Sequence, residues 1–211
     1  MSKLPAERRP ARSRPRTWKA DLVAGVAAVG VLLAARSSLA DHYHVPSGSM
    51  QPTVEIGDRV VVSKSAYGLR VPFTDVQIKR FEDPQRGDVV VLASPDDGVT
   101  LLKRVVAVPG DQVRVRSGRL ILNGSMIPVV GLDEGLSELL DETDPHPLRL
   151  ERGGGPDFGP VELGEDDYLV MGDNRGNSRD GRMFGMVRRS AIHGRAFAIY
   201  LRDGRLTWKG L

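Results

Sequence analysis

Two hydroxyl side chains flank a glycine in the run Val45-Pro46-Ser47-Gly48-Ser49-Met50-Gln51-Pro52-Thr53. A serine becomes a nucleophile when a neighbouring base takes its proton. Pro46 and Pro52 fix their own φ and bias Val45 and Gln51 toward extended backbone. Gly48 permits a tight turn or a close backbone approach. The run can therefore hold a serine at a set angle, although an ordinary Ser/Gly/Pro turn has the same composition. The rest of the chain has to supply the base.

Four histidines are available, His42, His44, His146 and His193. None stands with an Asp or Glu in a pattern that marks a triad, no Gly-x-Ser-x-Gly elbow occurs, and no Ser-x-x-Lys begins at Ser47 or Ser49. The other candidate is Lys103, inside Leu101-Leu102-Lys103-Arg104-Val105-Val106-Ala107-Val108. Period-two alternation puts Leu101, Lys103 and Val105 on one face and Leu102, Arg104 and Val106 on the other. Apolar neighbours desolvate an ammonium and lower its pKa, and a neutral amine can take a serine proton. A lysine that guards an edge strand against aggregation looks the same in sequence. A third polar cluster runs from Gly172 to Arg182 and is dense in short side chains that lock turns. Its spacing does not fit a calcium loop, and three arginines would repel the ion. It reads as a structural loop that offers a hydroxyl or carboxylate to a neighbour.

The elements that must position these residues follow from patterning. The 211 residues, 40% hydrophobic and 27% charged, suffice for one large domain with appendages. Net charge is only +3, but seven Lys or Arg precede residue 20 against the single acid Glu7. The remainder is slightly acidic, which gives no domain-wide basic face for nucleic acid. Cysteine is absent, which excludes disulfides, thiol nucleophiles and thiolate metal sites. No metal or cofactor is expected.

Residues 1–19, rich in Pro and Arg, predict a disordered tail. No charge occurs between Leu22 and Ala35, and a helix over residues 20–40 would be about 31 Å long, enough to span a bilayer. Trp18 and Tyr43 stand where interfacial aromatics are expected. The basic tail then puts the N-terminus in the cytoplasm and residues 41–211 outside. The alternative is a removable signal peptide ending at Ser38-Leu39-Ala40. Beyond the anchor, strands are predicted at Arg59–Ser63, Val89–Leu92, Leu102–Val108, Val113–Arg116, Arg119–Leu122, Met126–Val130, Asp167–Met171, Arg195–Leu201 and Arg205–Trp208. Asn123-Gly124 is a strong hairpin turn, and Ser117-Gly118 and Asp203-Gly204 also join paired runs. Leu136–Glu142 predicts one or two helical turns inside an irregular insertion over residues 131–163. The class is mainly β, built of non-local pairings.

In combination the motifs resemble those of type I signal peptidases, membrane-anchored Ser/Lys endopeptidases that remove signal peptides. The resemblance rests on an anchor, Pro46–Thr53 with Ile56-Gly57-Asp58, Arg86–Val91, Lys103–Val106 with Pro109-Gly110-Asp111, and the run 172–182, in that order. It implies an extended antiparallel β, barrel-like catalytic domain after one transmembrane helix. It makes Ser49 the nucleophile, Lys103 the general base, and Ser47 with the Ser49 backbone N–H the oxyanion donors. Ser178 would orient Lys103, with Asp180 and Arg182 as a supporting ion pair. Val45, Met50, Val60, Leu101 and Leu102 match positions that line pockets for small side chains. Leu101 stands where the family often has tyrosine, and Gly181 where it often has serine. The implied partners are presecretory signal peptides and membrane lipid at the plasma membrane, with cleavage after Ala-x-Ala. Peptidases specialised for pilins or conjugation proteins share this chemistry. An inactive peptide-binding module has no need of Ser49, Lys103 and Ser178 together.

Overall fold

The computed structural model describes residues 18–70, 76–132, 136–139, 145–151 and 153–211, with residues 31–39 and Arg70 described by their backbone alone. The expected tail lies outside these residues up to position 17. Helix α1 (Trp18–Leu39) leads directly into β1 (Ala40–His44). Then come β2 (Arg59–Ser63), a short pair β3 (Gly68–Arg70) and β4 (Gln77–Arg80), and β5 (Val89–Ala93) with β6 (Thr100–Ala107). A meander of β7 (Gln112–Arg116), β8 (Arg119–Leu122) and β9 (Ser125–Met126) precedes a small sheet of β10 (Val129–Gly131), β11 (Leu136–Leu139) and β12 (His146–Arg149). The chain continues through β13 (Phe158–Glu162), β14 (Asp167–Met171), a one-turn helix α2 (Gly181–Phe184) and β15 (Val187–Arg188). It ends with β16 (Ile192–Arg202) and β17 (Arg205–Gly210). Among the described residues no helix is long and apolar enough to cross a membrane.

The mainly β expectation holds. The principal sheet is antiparallel, in the order β1-β2-β16-β5-β6-β14-β15, with β17 on β16. The long β16 carries register shifts against both β2 and β5. Such bulges bend a strand and increase its twist, and they curl the sheet around its concave face. Three predicted two-residue turns have the left-handed backbone that such hairpins need: φ is 47° and 75° at Ser117-Gly118, 51° and 82° at Asn123-Gly124, and 50° and 71° at Asp203-Gly204.

Alternation divides the core. Val60, Val62, Val89 and Val91 pack with Val45, Met50, Val54 and Ile199 on one face of the sheet. Val90, Leu92 and Val105 pack with Tyr168, Val170 and Ile192 on the other. A third cluster joins Val106 and Leu169 to Val113, Val115, Leu120 and Leu122 of the meander. Each such side chain contributes about 1.5–3 kcal/mol when fully buried. The pairing of β5 with β6 sets Val90 opposite Lys103 and Val89 opposite Arg104. A slip of one residue would move both cations to the wrong faces.

Three local expectations differ from the structure: the run Met126–Val130, expected as one strand, is divided between β9 and β10, which belong to different sheets. Leu136–Leu139 is a strand, paired with β10 and β12, instead of a helical turn. Its leucines at 136, 139 and 140 mimic helical spacing, and non-local pairing overrides that local signal. Tyr43, read as an interfacial aromatic, belongs to β1 opposite Val60 and packs against the core. The span 131–163 holds β11, β12 and β13.

Candidate active site

Ser49 lies in a single 3-10 turn, Gly48–Met50, entered from extended backbone at Ser47. Neighbours on both sides fix the turn. The Val45 amide donates to Asp58 O (2.9 Å) and the Gly57 amide to Val45 O (2.9 Å). From the loop after β14, the Asn174 amide donates to Ser49 O and Asn174 Nδ2 to Gly48 O, both at 3.1 Å. The Met50 side chain, 1% exposed, anchors the turn in the core. Gly172 makes this closeness possible, because a Cβ there would overlap both Ser49 O and Ser178 Oγ.

Lys103 reaches the turn from β6, across 54 positions of sequence. Its Nζ is 2.8 Å from Ser49 Oγ and donates to Leu102 O at 2.9 Å. The side chain is almost wholly buried. Burial pushes its pKa down to about 8, against the opposing pull of the Asp180 and Asp173 carboxylates. As an ammonium Nζ donates to Ser49 Oγ; as an amine it can accept the hydroxyl proton. Ser47 is exposed, with its Oγ 3.5 Å from Ser49 Oγ.

The lowered pKa has a stability consequence. Below pH 8 the folded protein holds a buried ammonium that the unfolded chain holds in water, at a cost of about 3 kcal/mol. Between pH 8 and about 10.5 the folded state has released the proton while the unfolded state retains it, so the cost fades. Lys103→Met is therefore expected to be more stable than the native chain at pH 7, with the gap closing toward pH 10. Denaturant melts at the two pH values check this; a less stable Met variant at pH 7 would contradict it.

Asp180 and Arg182 form a fully buried ion pair, with the guanidinium Nε and NH2 each 2.8 Å from the carboxylate. Asp180 also accepts the Gly172 amide (3.0 Å) and caps α2 through the Arg182 amide. Arg182 keeps the carboxyl ionised although burial opposes it. Ser178 belongs to the same buried network. Its Oγ is buried against Gly172 and, against the opposing effect of burial and after the Arg182 guanidinium, helps hold the Asp180 carboxyl below the usual range, while Lys103 Nζ bonds Ser49 and Leu102. On Gly181, a Cβ would come within 2.7 Å of Leu169 Cδ1, so close packing suits a glycine there.

Sequence reasoning missed a second buried network. Asp173 takes Arg104 Nε (3.0 Å), Arg104 NH2 (2.9 Å) and Thr53 Oγ1 (2.6 Å). The Arg104 guanidinium foremost holds the Asp173 carboxyl below the usual range against the opposing effect of burial. Arg104 and Asp173 were both inside the motifs, but alternation said only that Arg104 leaves the Lys103 face. No histidine is among the hydrogen-bond partners of Ser49 in the described residues. His42 and His44 lie on the exposed positions of β1, His193 is on β16 and His146 is buried in β12.

A cleft of about 80 Å³ opens beside Ser49 and Lys103. Val45, Met50, Val60, Leu101 and Leu102 line it, and so do Tyr43, His44, Val91 and Thr100, none of which was expected to line a pocket.

The chain matches the family described as signal peptidase, peptidase S26, over residues 18–201. It is 38% identical to signal peptidase I of Pseudomonas fluorescens over 194 residues, 81% of this chain and 68% of the relative. Signal peptidase I of Pseudomonas aeruginosa is 37% identical over 195 residues, with the same coverage. A solved signal peptidase I from Enterococcus faecalis is 29% identical over 55% of this chain and 97% of its own, with a TM-score of 0.38.

Proposed function

We propose that this chain, which belongs to the signal peptidase family, peptidase S26, cleaves signal peptides from exported proteins with a Ser49/Lys103 dyad. The observation that carries this reading is a buried lysine amine 2.8 Å from a serine hydroxyl at the edge of a small apolar cleft. Lys103 Nζ takes the Ser49 proton as Oγ attacks the scissile carbonyl. The oxyanion that forms accepts from the Ser49 backbone N–H and the Ser47 hydroxyl. Collapse passes the proton from Lys103 to the leaving amine and leaves the signal peptide as an ester on Ser49. Lys103 then removes a proton from water, the resulting hydroxide opens the ester, and Ser49 regains its proton. The buried Asp180–Arg182 and Asp173–Arg104 pairs hold the frame.

The substrate strand adds alongside Leu101–Lys103 and places alternate side chains in the cleft. In this reading the uncharged run over residues 22–35, with the basic tail before it, anchors the enzyme with its N-terminus in the cytoplasm. Cleavage then occurs outside the membrane, where tethering raises the effective concentration of enzyme at the bond. The test is a set of presecretory substrates varied at the first and third residues before the cut. Ala, Gly and Ser are expected to be cleaved well at both positions, and Phe at the first at least about 100-fold more slowly. Equal cleavage of the Phe substrate would refute the small-pocket reading.

A further inference from the structure

The small sheet β10–β12 has no part in the chemistry above, yet it touches the loop that holds both halves of the dyad. The outer edge of β12 runs parallel to that loop: Arg149 bridges Asn174, and the Arg149 amide donates to Asp173 O at 2.9 Å. Three residues earlier in the strand, His146 is buried with Nε2 3.8 Å from Asp173 Oδ1. The two loop residues it contacts each lead to a catalytic group. Asn174 makes two hydrogen bonds to the Gly48–Ser49 backbone. Asp173 grips Arg104, the neighbour of Lys103, and Thr53, four residues beyond Ser49.

We infer that β12 is a positioning element for the reaction, acting through the Arg149 amide and His146 on the Asp173-Asn174 turn, and that this gives the 131–163 segment a role in catalysis. The inference rests on the Ser49/Lys103 reading. A displacement near 1 Å between nucleophile and base costs about 100-fold in rate, so a strand that fixes this turn acts on turnover more than on substrate affinity.

Arg149→Ala and Arg149→Pro both remove the guanidinium, but only the proline removes the amide proton. That amide faces the loop, so the pairing of β12 with β11 survives. Steady-state cleavage of a presecretory protein is expected to give Arg149→Ala a kcat within twofold of native. Arg149→Pro should lose at least 10-fold in kcat, with KM within twofold. His146→Phe keeps a buried ring without the nitrogen and should lose about threefold or more in kcat, again at constant KM; it decides the matter if the proline variant does not fold. If the folded Pro variant matches the Ala variant in kcat, or the losses lie in KM or thermal midpoint alone, β12 is a passive appendage. Should Ser49→Ala prove as active as the native chain, the dyad reading falls instead, whatever the Arg149 variants do.

Discussion

Lys103→Arg is expected to lower turnover about 1,000-fold or more, although it preserves the positive charge. Burial lowers the Lys103 pKa to about 8, so near pH 8 about half of the enzyme carries a free amine. A guanidinium stays protonated at every accessible pH and cannot accept the Ser49 proton. General-base catalysis of this kind contributes about 100- to 10,000-fold. The sign of the native pH dependence follows. Below pH 8 the ammonium predominates and activity falls about tenfold per pH unit, so activity rises with pH through an apparent pKa near 8 before levelling. The Arg variant should show no such limb in kcat/KM between pH 6 and 10. Near-native turnover by a folded Arg variant, or a native profile with its limb near 6.5, would move the base to a histidine.

The pairing that makes this possible was only half legible in sequence. The strands β2, β8 and β14 coincide with the predicted runs, because alternating or continuous Val and Leu between turn residues leaves little freedom. β1 was hidden in Ala40–His44, where two histidines and an aspartate mask a strand whose partner, β2, lies 15 residues on. β12 and β13 each contain a proline, which demotes a run in any local reading. In the site, the residue types that do chemistry were named from the motifs. Local patterning could not bring them together, since Ser49, Lys103 and Asp173 are joined through contacts 54 to 120 residues apart, and the pairing of Ser49 with Lys103 came from the resemblance alone. The role of Asp173 was invisible because a buried aspartate and a turn aspartate read alike until the partner Arg104 is placed.

Ser49→Ala removes one oxygen from a turn whose backbone is held by Asn174 and Asp58, so the fold and thermal midpoint should change little. Activity should fall by about 10,000-fold or more, because removing the nucleophile leaves only binding and oxyanion stabilisation. Lys103 cannot compensate, since its amine then faces a methyl group. The most direct measurement is cleavage of a purified presecretory protein by the purified chain in detergent, native beside Ser49→Ala, with N-terminal sequencing of the product. The dyad account predicts a single cut after a small residue by the native protein and no product from the folded Ala variant. The same product formed by Ser49→Ala at a comparable rate would contradict it.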